Sequence, residues 1–184
     1  MSGALIKLDE FTITSAVSSV ILAGGTQSSS GNNVVIDNTY DVYILKYSGI
    51  TLTSDGNHAK MRVTVNGTPD TTTNYDNYYE GLRSDSSTSI NGGATNETSY
   101  GLGQLDKSAG KNASGTLTLF NFSDANEYSA WTTEAQYWWN GSSHILSILG
   151  GAFNTVNQAC DGVQIFALSE NLESGTFTLY GLKK

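Results

Sequence analysis

Alternating apolar and polar residues, bounded by turn-forming residues, recur along the whole chain. In residues 60–67, KMRVTVNG, the apolar side chains of Met61, Val63 and Val65 alternate with polar ones. A two-residue period places successive side chains on opposite faces of a β-strand. Gly, Asn, Asp and Ser bound such runs, as in residues 54–57, and these residues favour turns. The pattern predicts an all-β chain of about nine or ten short strands.

Two runs give more detail about the predicted sheets. Near the N-terminus, the spacing of Leu5, Phe11 and Ile13 predicts that they share one face of a strand. Residues 40–50, YDVYILKYSGI, carry apolar or aromatic side chains at both parities. A strand covered on both faces has this composition, so we expect it in the middle of a sheet.

Two predicted strands in the second half of the chain have similar sequences. The run SGTLTLF at residues 114–120 matches SGTFTLY at residues 174–180, with five of seven positions identical. Two similar strands of one sandwich explain this similarity, and an internal duplication is the alternative. Many short strands at regular spacing predict an antiparallel β-sandwich that is jelly-roll-like.

The length of 184 residues fits a single domain over residues 1–184. We expect a short N-terminal arm at residues 1–4. Polar stretches rich in Gly, Ser, Asn and Thr predict exposed loops at residues 24–33 and 84–96. A short helix or an irregular turn is compatible only with residues 123–131.

Charge and cysteine content narrow the classes of partner. The formal net charge is -8, and the nine Lys and Arg residues are scattered. Nucleic-acid binding needs clustered positive charge, so we expect no nucleic acid partner. We also expect no signal peptide, because residues 1–7 lack a charged n-region and an apolar h-region. We expect no membrane span, because the sequence has no apolar run of the ~20 residues required. The single cysteine, Cys160, excludes an internal disulfide.

Residues that carry catalysis are sparse. His58 and His144 are the only histidines, and we interpret both as polar residues at strand ends or turns. Zinc would require more His and Cys ligands, and no Gly-rich phosphate loop is present. Carboxylates at residues 55–57 and 124–127 could bind calcium, but ordinary turns explain them. We therefore predict a non-enzyme with no catalytic residues, no cofactor and no metal.

Aromatic clusters are the remaining functional signal. The candidate interface or ligand residues are Tyr78, Tyr79, Tyr137, Trp138 and Trp139. Tyr and Trp are enriched at protein interfaces, and their flat rings also pack well on sugar rings. Adjacent strand residues point to opposite faces, so one of the two tryptophans is expected in the core. Core packing, subunit contact and ligand binding all remain open.

Three segments carry a resemblance to a known family. They are LIK through SAVSSV in residues 5–20, YDVY through MRV in residues 40–63, and SGTFTLYGLK in residues 174–183. In these segments the chain resembles small structural proteins of tailed bacteriophages, especially cyanophages. The resemblance implies a sandwich or jelly-roll virion component, often trimeric, and none of its motifs is catalytic. Residues 68–96 depart from the family.

The resemblance implies a virion protein that is assembled in the cytoplasm of a bacterial host. The first hypothesis is a capsid decoration or cement protein on the outer head surface. Its partners would be itself, as a homotrimer, and other virion proteins such as the major capsid protein. The alternative is a tail or tail-fibre component that binds a host-surface glycan. A third hypothesis is a carbohydrate-binding module or glycan-active enzyme.

Overall fold

The chain forms β-strands throughout the residues that the structure, a computed structural model, describes. These are residues 3–54, 57–84, 89–105, 111–139 and 143–182, with the backbone alone at residues 57, 103–105, 139 and 143–149. The strands are β1 (Leu5–Thr12), β2 (Ser19–Ala23), β3 (Val42–Leu52), β4 (Asn57–Val65), β5 (Thr68–Pro69), β6 (Tyr75–Arg83), β7 (Ile90–Glu97), β8 (Tyr100–Leu105), β9 (Ala113–Phe120), β10 (Tyr128–Trp139), β11 (Ser143–Asn157), β12 (Gly162–Ala167) and β13 (Leu172–Leu182). The described helical structure is one 3-10 turn, Gly25–Gln27. No helix in these ranges is long and apolar enough to cross a membrane.

The strands form two antiparallel sheets. The first has eight strands in the order β1-β13-β3-β9-β10-β11-β6-β7, and the second has the order β2-β12-β4-β5, with β8 also paired to β4. The half-sheets β1-β13-β3-β9 and β2-β12-β4-β8 carry the strand order of a jelly roll. The predicted all-β, jelly-roll-like sandwich is therefore confirmed.

Strands β10, β11, β6 and β7 widen the first sheet from four strands to eight. Residues 68–96, which depart from the resemblance, supply β5, β6 and most of β7. The prediction of a loop over residues 84–96 is therefore wrong from Ile90 onward, because those residues pair with β6. Pairing of such polar segments also raises the strand count above the nine or ten expected. Residues 123–131 contain a turn and the start of β10, not a helix.

The core lies between the two sheets. Leu45 and Leu117 from the first sheet and Met61 and Val163 from the second are fully buried. Each such side chain contributes about 1.5–3 kcal/mol when it leaves water. At one end Trp131 is buried among three aromatic rings, with centroid distances of 5.7 to 6.2 Å to Tyr75, Tyr100 and Phe122.

A β-bulge in β1 turns one carboxylate into the protein. The register with β13 shifts between Lys7 and Asp9, so Asp9 lies opposite the buried Leu179. Leu5 lies on the other face, opposite Leu182, and does not share a face with Phe11 as predicted. Asp9 is only 1% exposed. Its oxygens accept hydrogen bonds from the backbone N–H groups of Glu10 and Ala23 and from the side chains of Ser28, Ser30 and Asn32.

These hydrogen bonds hold residues 24–33 against the sandwich. Three of the five donors come from this segment, which the sequence predicts as an exposed loop, and Ser28 is buried there. Burial by itself raises the pKa of Asp9, but the hydrogen bonds outweigh it and leave the pKa below its ordinary value. Asp9 is therefore a buried anion that is stabilised by hydrogen-bond donors.

Candidate functional site

The five aromatic residues singled out from the sequence do not form one cluster. Tyr78 lies on the outer face of the first sheet and is 57% exposed, whereas Tyr79 lies on its inner face. Tyr137 is buried on the inner face of β10. Trp138 is partly buried, with the ammonium of Lys111 5.6 Å from its ring centroid. The side chain of Trp139 lies outside the described part of the chain.

Tyr79 and Tyr137 meet in a cleft between the two sheets, here called the inner cleft. It lies where the added strands β6 and β7 face β4 and β8, and its volume is about 700 Å³. It forms there because the first sheet is wider than the second at this end. The lining residues used below are His58, Lys60, Asn77, Tyr79, Glu97, Tyr100, Thr133 and Tyr137.

Two glycines make room for the tyrosine rings of the inner cleft. A Cβ atom on Gly92 would lie 2.8 Å from the hydroxyl oxygen of Tyr79, and one on Gly150 would lie 2.8 Å from that of Tyr100. The rings therefore pack directly over backbone. Burial raises the pKa of Tyr137 to about 12 and also raises that of Tyr100. Both phenols are neutral near pH 7 and can donate hydrogen bonds.

The hydroxyl of Thr133 is the unusual polar group of this cleft. Thr133 is 3% exposed, and its Oγ1 atom has no hydrogen-bond partner. The hydroxyl of Tyr100 lies near Thr133, and the interaction between them partly offsets the rise that burial causes in the pKa of Tyr100. The two hydroxyl groups do not reach hydrogen-bonding geometry. A buried hydroxyl without a partner costs about 1–3 kcal/mol. The cleft thus contains a polar group that a ligand could satisfy.

Charges in the inner cleft balance one another. Lys60 contributes a positive charge and Glu97 a negative one. Burial and the charge of Lys60 lower the pKa of His58, so the imidazole is neutral at pH 7. Glu97 is the single carboxylate among the described lining residues, whereas glycoside hydrolysis uses two. This lining suits binding of a neutral molecule better than that reaction.

A second surface, here called the outer aromatic patch, consists of Tyr78, Tyr128 and Phe153. The rings of Tyr128 and Phe153 stack with centroids 5.9 Å apart and planes 6° apart. Tyr78 and Phe153 line a shared groove on the outer face of the first sheet. Tyr78 lies between Gly151 on one neighbouring strand and Gly93 on the other. These glycines leave space beside an exposed ring.

The rest of this outer face is mixed, because the partly buried side chains of Ile44, Phe120 and Tyr180 lie on it beside polar ones. One cross-strand row runs through Glu10, Thr178, Lys46, Thr116 and Glu134. The three rings of the outer aromatic patch belong to β6, β10 and β11, the strands that are added to the jelly roll.

Other candidates from the sequence have structural roles or lie outside the description. Burial raises the pKa of the Cys160 thiol to about 11, and the thiol accepts a hydrogen bond from Ser129. Asp124 accepts the backbone N–H of Asn126, as in an ordinary turn. Residues 55 and 56 and the side chain of His144 lie outside the described residues. Within the described ranges, no three His, Cys, Asp or Glu side chains form a group that could hold a metal.

Sequence reasoning found Tyr79 and Tyr137 but missed Tyr100 and Thr133. Thr133 and Tyr137 lie on one face of β10, a relation that strand periodicity contains. The approach of β8 to that face is a tertiary contact, which periodicity does not contain.

Known proteins give no further information about the function of these residues. Searches against protein-family models, curated proteins and solved structures found no match. The resemblance to phage structural proteins accordingly stays an expectation.

Proposed function

We propose that this chain is a structural protein of a bacteriophage particle, a decoration or cement protein of the outer head surface. The observation that carries the proposal is the outer aromatic patch, which lies on the broad outer face of an eight-stranded sheet. Jelly rolls occur in viral capsid and lectin domains, which supports a virion setting by analogy of fold.

The exposed area of the outer aromatic patch is suited to the centre of a protein interface. A Phe or Tyr side chain buries about 150–250 Å² when fully covered. Tyr78, Tyr128 and Phe153 are 57%, 45% and 39% exposed, so a partner could cover about 200–350 Å² of these rings, which is part of the roughly 800 Å² that each partner contributes to a standard interface.

The proposed partners are further copies of this chain, as a homotrimer, and the major capsid protein. The stacked rings of Tyr128 and Phe153 form a flat apolar contact, and the groove that Tyr78 and Gly151 line beside them can receive a side chain of the neighbour. Many weak contacts of this kind act together on a particle that carries many copies.

A tail or tail-fibre component is the second candidate. The inner cleft favours it, because a receptor-binding protein needs a ligand site as well as an assembly surface. The two candidates differ in stoichiometry. A head decoration protein is present in hundreds of copies per particle, whereas a tail component is present in a few to a few dozen.

Quantitative mass spectrometry of purified particles tests the proposal directly. We expect hundreds of copies relative to the major capsid protein. A few dozen copies would favour the tail, and absence from the particles would refute both placements.

Light scattering of the purified protein tests whether the outer aromatic patch forms an interface between subunits. We expect a trimer that Phe153→Ser converts to a smaller species. Leu168→Ser is the matched control, because Leu168 is 55% exposed at the end of β12, away from the patch. Equal masses for wild type and Phe153→Ser would contradict the role of the patch.

A further inference from the structure

We propose that the inner cleft binds a neutral saccharide unit through stacking on Tyr79 and hydrogen bonds to Thr133 and the side-chain amide of Asn77. This site does not depend on the outer aromatic patch, which lies on the opposite face of the same sheet. Assembly and saccharide binding can therefore be tested separately, and either can fail alone.

The dimensions of the cleft fit a small ligand. Its volume of about 700 Å³ lies within the range of about 300–1,000 Å³ that is typical of small-molecule sites. The cleft is bordered by rings from three strands, with Tyr79 on β6, Tyr100 on β8 and Tyr137 on β10. Binding sites of this type combine apolar ring faces with a few placed polar groups.

Tyr79 provides the stacking surface. One part of the ring covers Gly92 on β7, where no Cβ atom intervenes, and the side chain also lines the cleft. A pyranose has an apolar face of C–H groups and a rim of hydroxyls. The ring of Tyr79 can cover the apolar face, while the side-chain amide of Asn77, two residues before it on the same face of β6, can bind the rim.

Thr133 is the residue that favours a ligand with hydroxyl groups. Its buried Oγ1 atom lacks a partner, and a ligand hydroxyl can both donate to it and accept from it. A purely apolar ligand would leave this hydroxyl unsatisfied inside the cleft, which is unfavourable.

The balance of charge selects against ionic ligands. The positive charge of Lys60 offsets the negative charge of Glu97. The His58 imidazole is neutral at pH 7 because burial lowers its pKa. A phosphate or carboxylate would gain no net positive field from these groups, and a cation would gain no net negative one. A neutral polyhydroxylated ring fits this lining best.

The test is calorimetric titration and saturation-transfer NMR with a panel of neutral sugars. The panel contains glucose, galactose, mannose and N-acetylglucosamine with their β-linked disaccharides. Glucose 6-phosphate and sialic acid serve as charged comparisons. We expect at least one neutral sugar to bind and the charged sugars to bind more weakly.

Thr133→Val separates binding from a structural role. Valine has nearly the same shape and removes the unpaired hydroxyl, so we expect unchanged or increased stability together with about fivefold weaker saccharide binding. Thr132→Val is the matched control, because Thr132 is exposed on the outer face of the same strand and should not change binding.

Tyr79 is tested with two variants. Tyr79→Ala should weaken binding more than about tenfold, as truncation of a central aromatic contact does. Tyr79→Phe keeps the ring over Gly92 and should retain most of the affinity. The proposal is overturned if no neutral sugar binds, if the charged sugars bind more tightly, or if Thr133→Val and Tyr79→Ala bind like the wild type.

Discussion

Replacement of Asp9 by Asn tests how the buried carboxylate stabilises the sandwich. The carboxylate accepts hydrogen bonds from five donors, two of which are the backbone N–H groups of Glu10 and Ala23. An Asn side chain has one oxygen acceptor and one NH₂ donor. In either orientation, the NH₂ group faces a backbone N–H that cannot turn away.

The expected cost of Asp9→Asn follows from this geometry. One backbone N–H that loses its buried acceptor costs about 1–3 kcal/mol, and the remaining hydrogen bonds lose their charge-assisted part. We expect the free energy of unfolding to fall by about 2–4 kcal/mol in total. For a chain of this size each kcal/mol lowers Tm by about 2–4 °C.

The same carboxylate gives a pH dependence with a definite sign. Because the pKa of Asp9 is lower in the folded protein than its ordinary value, the ionised form stabilises the fold. This contribution is complete above the unfolded pKa of about 3.9 and is lost as the pH falls through the lower folded pKa. The difference between wild type and Asp9→Asn should therefore be largest near neutral pH and should shrink in strong acid.

Urea unfolding followed by tryptophan fluorescence, at neutral and at acid pH, measures both effects. Glu134→Gln is the matched control, because it removes the same charge from an exposed position and should change stability by less than about 0.5 kcal/mol. The reasoning is refuted if Asp9→Asn unfolds within about 0.5 kcal/mol of the wild type at pH 7. It is also refuted if their difference is independent of pH.

Two further predictions concern buried positions. Because burial raises the pKa of Cys160 to about 11, we expect iodoacetamide at pH 8 to label it only after denaturation, as mass spectrometry would show; rapid labelling of the native protein would contradict this. A Cβ atom on Gly162 would lie 2.6 Å from the carbonyl oxygen of Leu22. Gly162→Ala should therefore lower the free energy of unfolding in urea by about 1–3 kcal/mol. Gly101→Ala, whose Cβ would meet only the Lys60 ammonium at 4.0 Å, should not; equal stabilities would count against the close strand approach.

The predicted loop over residues 84–96 shows where sequence reasoning fell short. Strand β7 is rich in Gly and Asn, which disfavour strands as local residues. Its pairing depends on Tyr78 and Tyr79 of β6, whose side chains cover Gly93 and Gly92. Aromatic side chains can compensate for cross-strand glycines in this way. The stabilising contact is between strands, so no local pattern contains it.

The sequence by itself determined the class of fold and much of the core. The alternation in residues 60–67 correctly places Met61 and Val63 inward, and the two-sided run in residues 40–50 correctly predicts a strand inside a sheet. These features follow from the period of a strand, which any residue run carries locally.

Only the tertiary structure decided the inner cleft and the burial of Asp9. The cleft depends on β8 facing β10 and on β6 and β7 extending one sheet beyond the other. The burial of Asp9 depends on a one-residue bulge that reverses the faces of β1. Both features are set by contacts between residues far apart in the chain, and a one-residue shift inverts every face that a local period assigns.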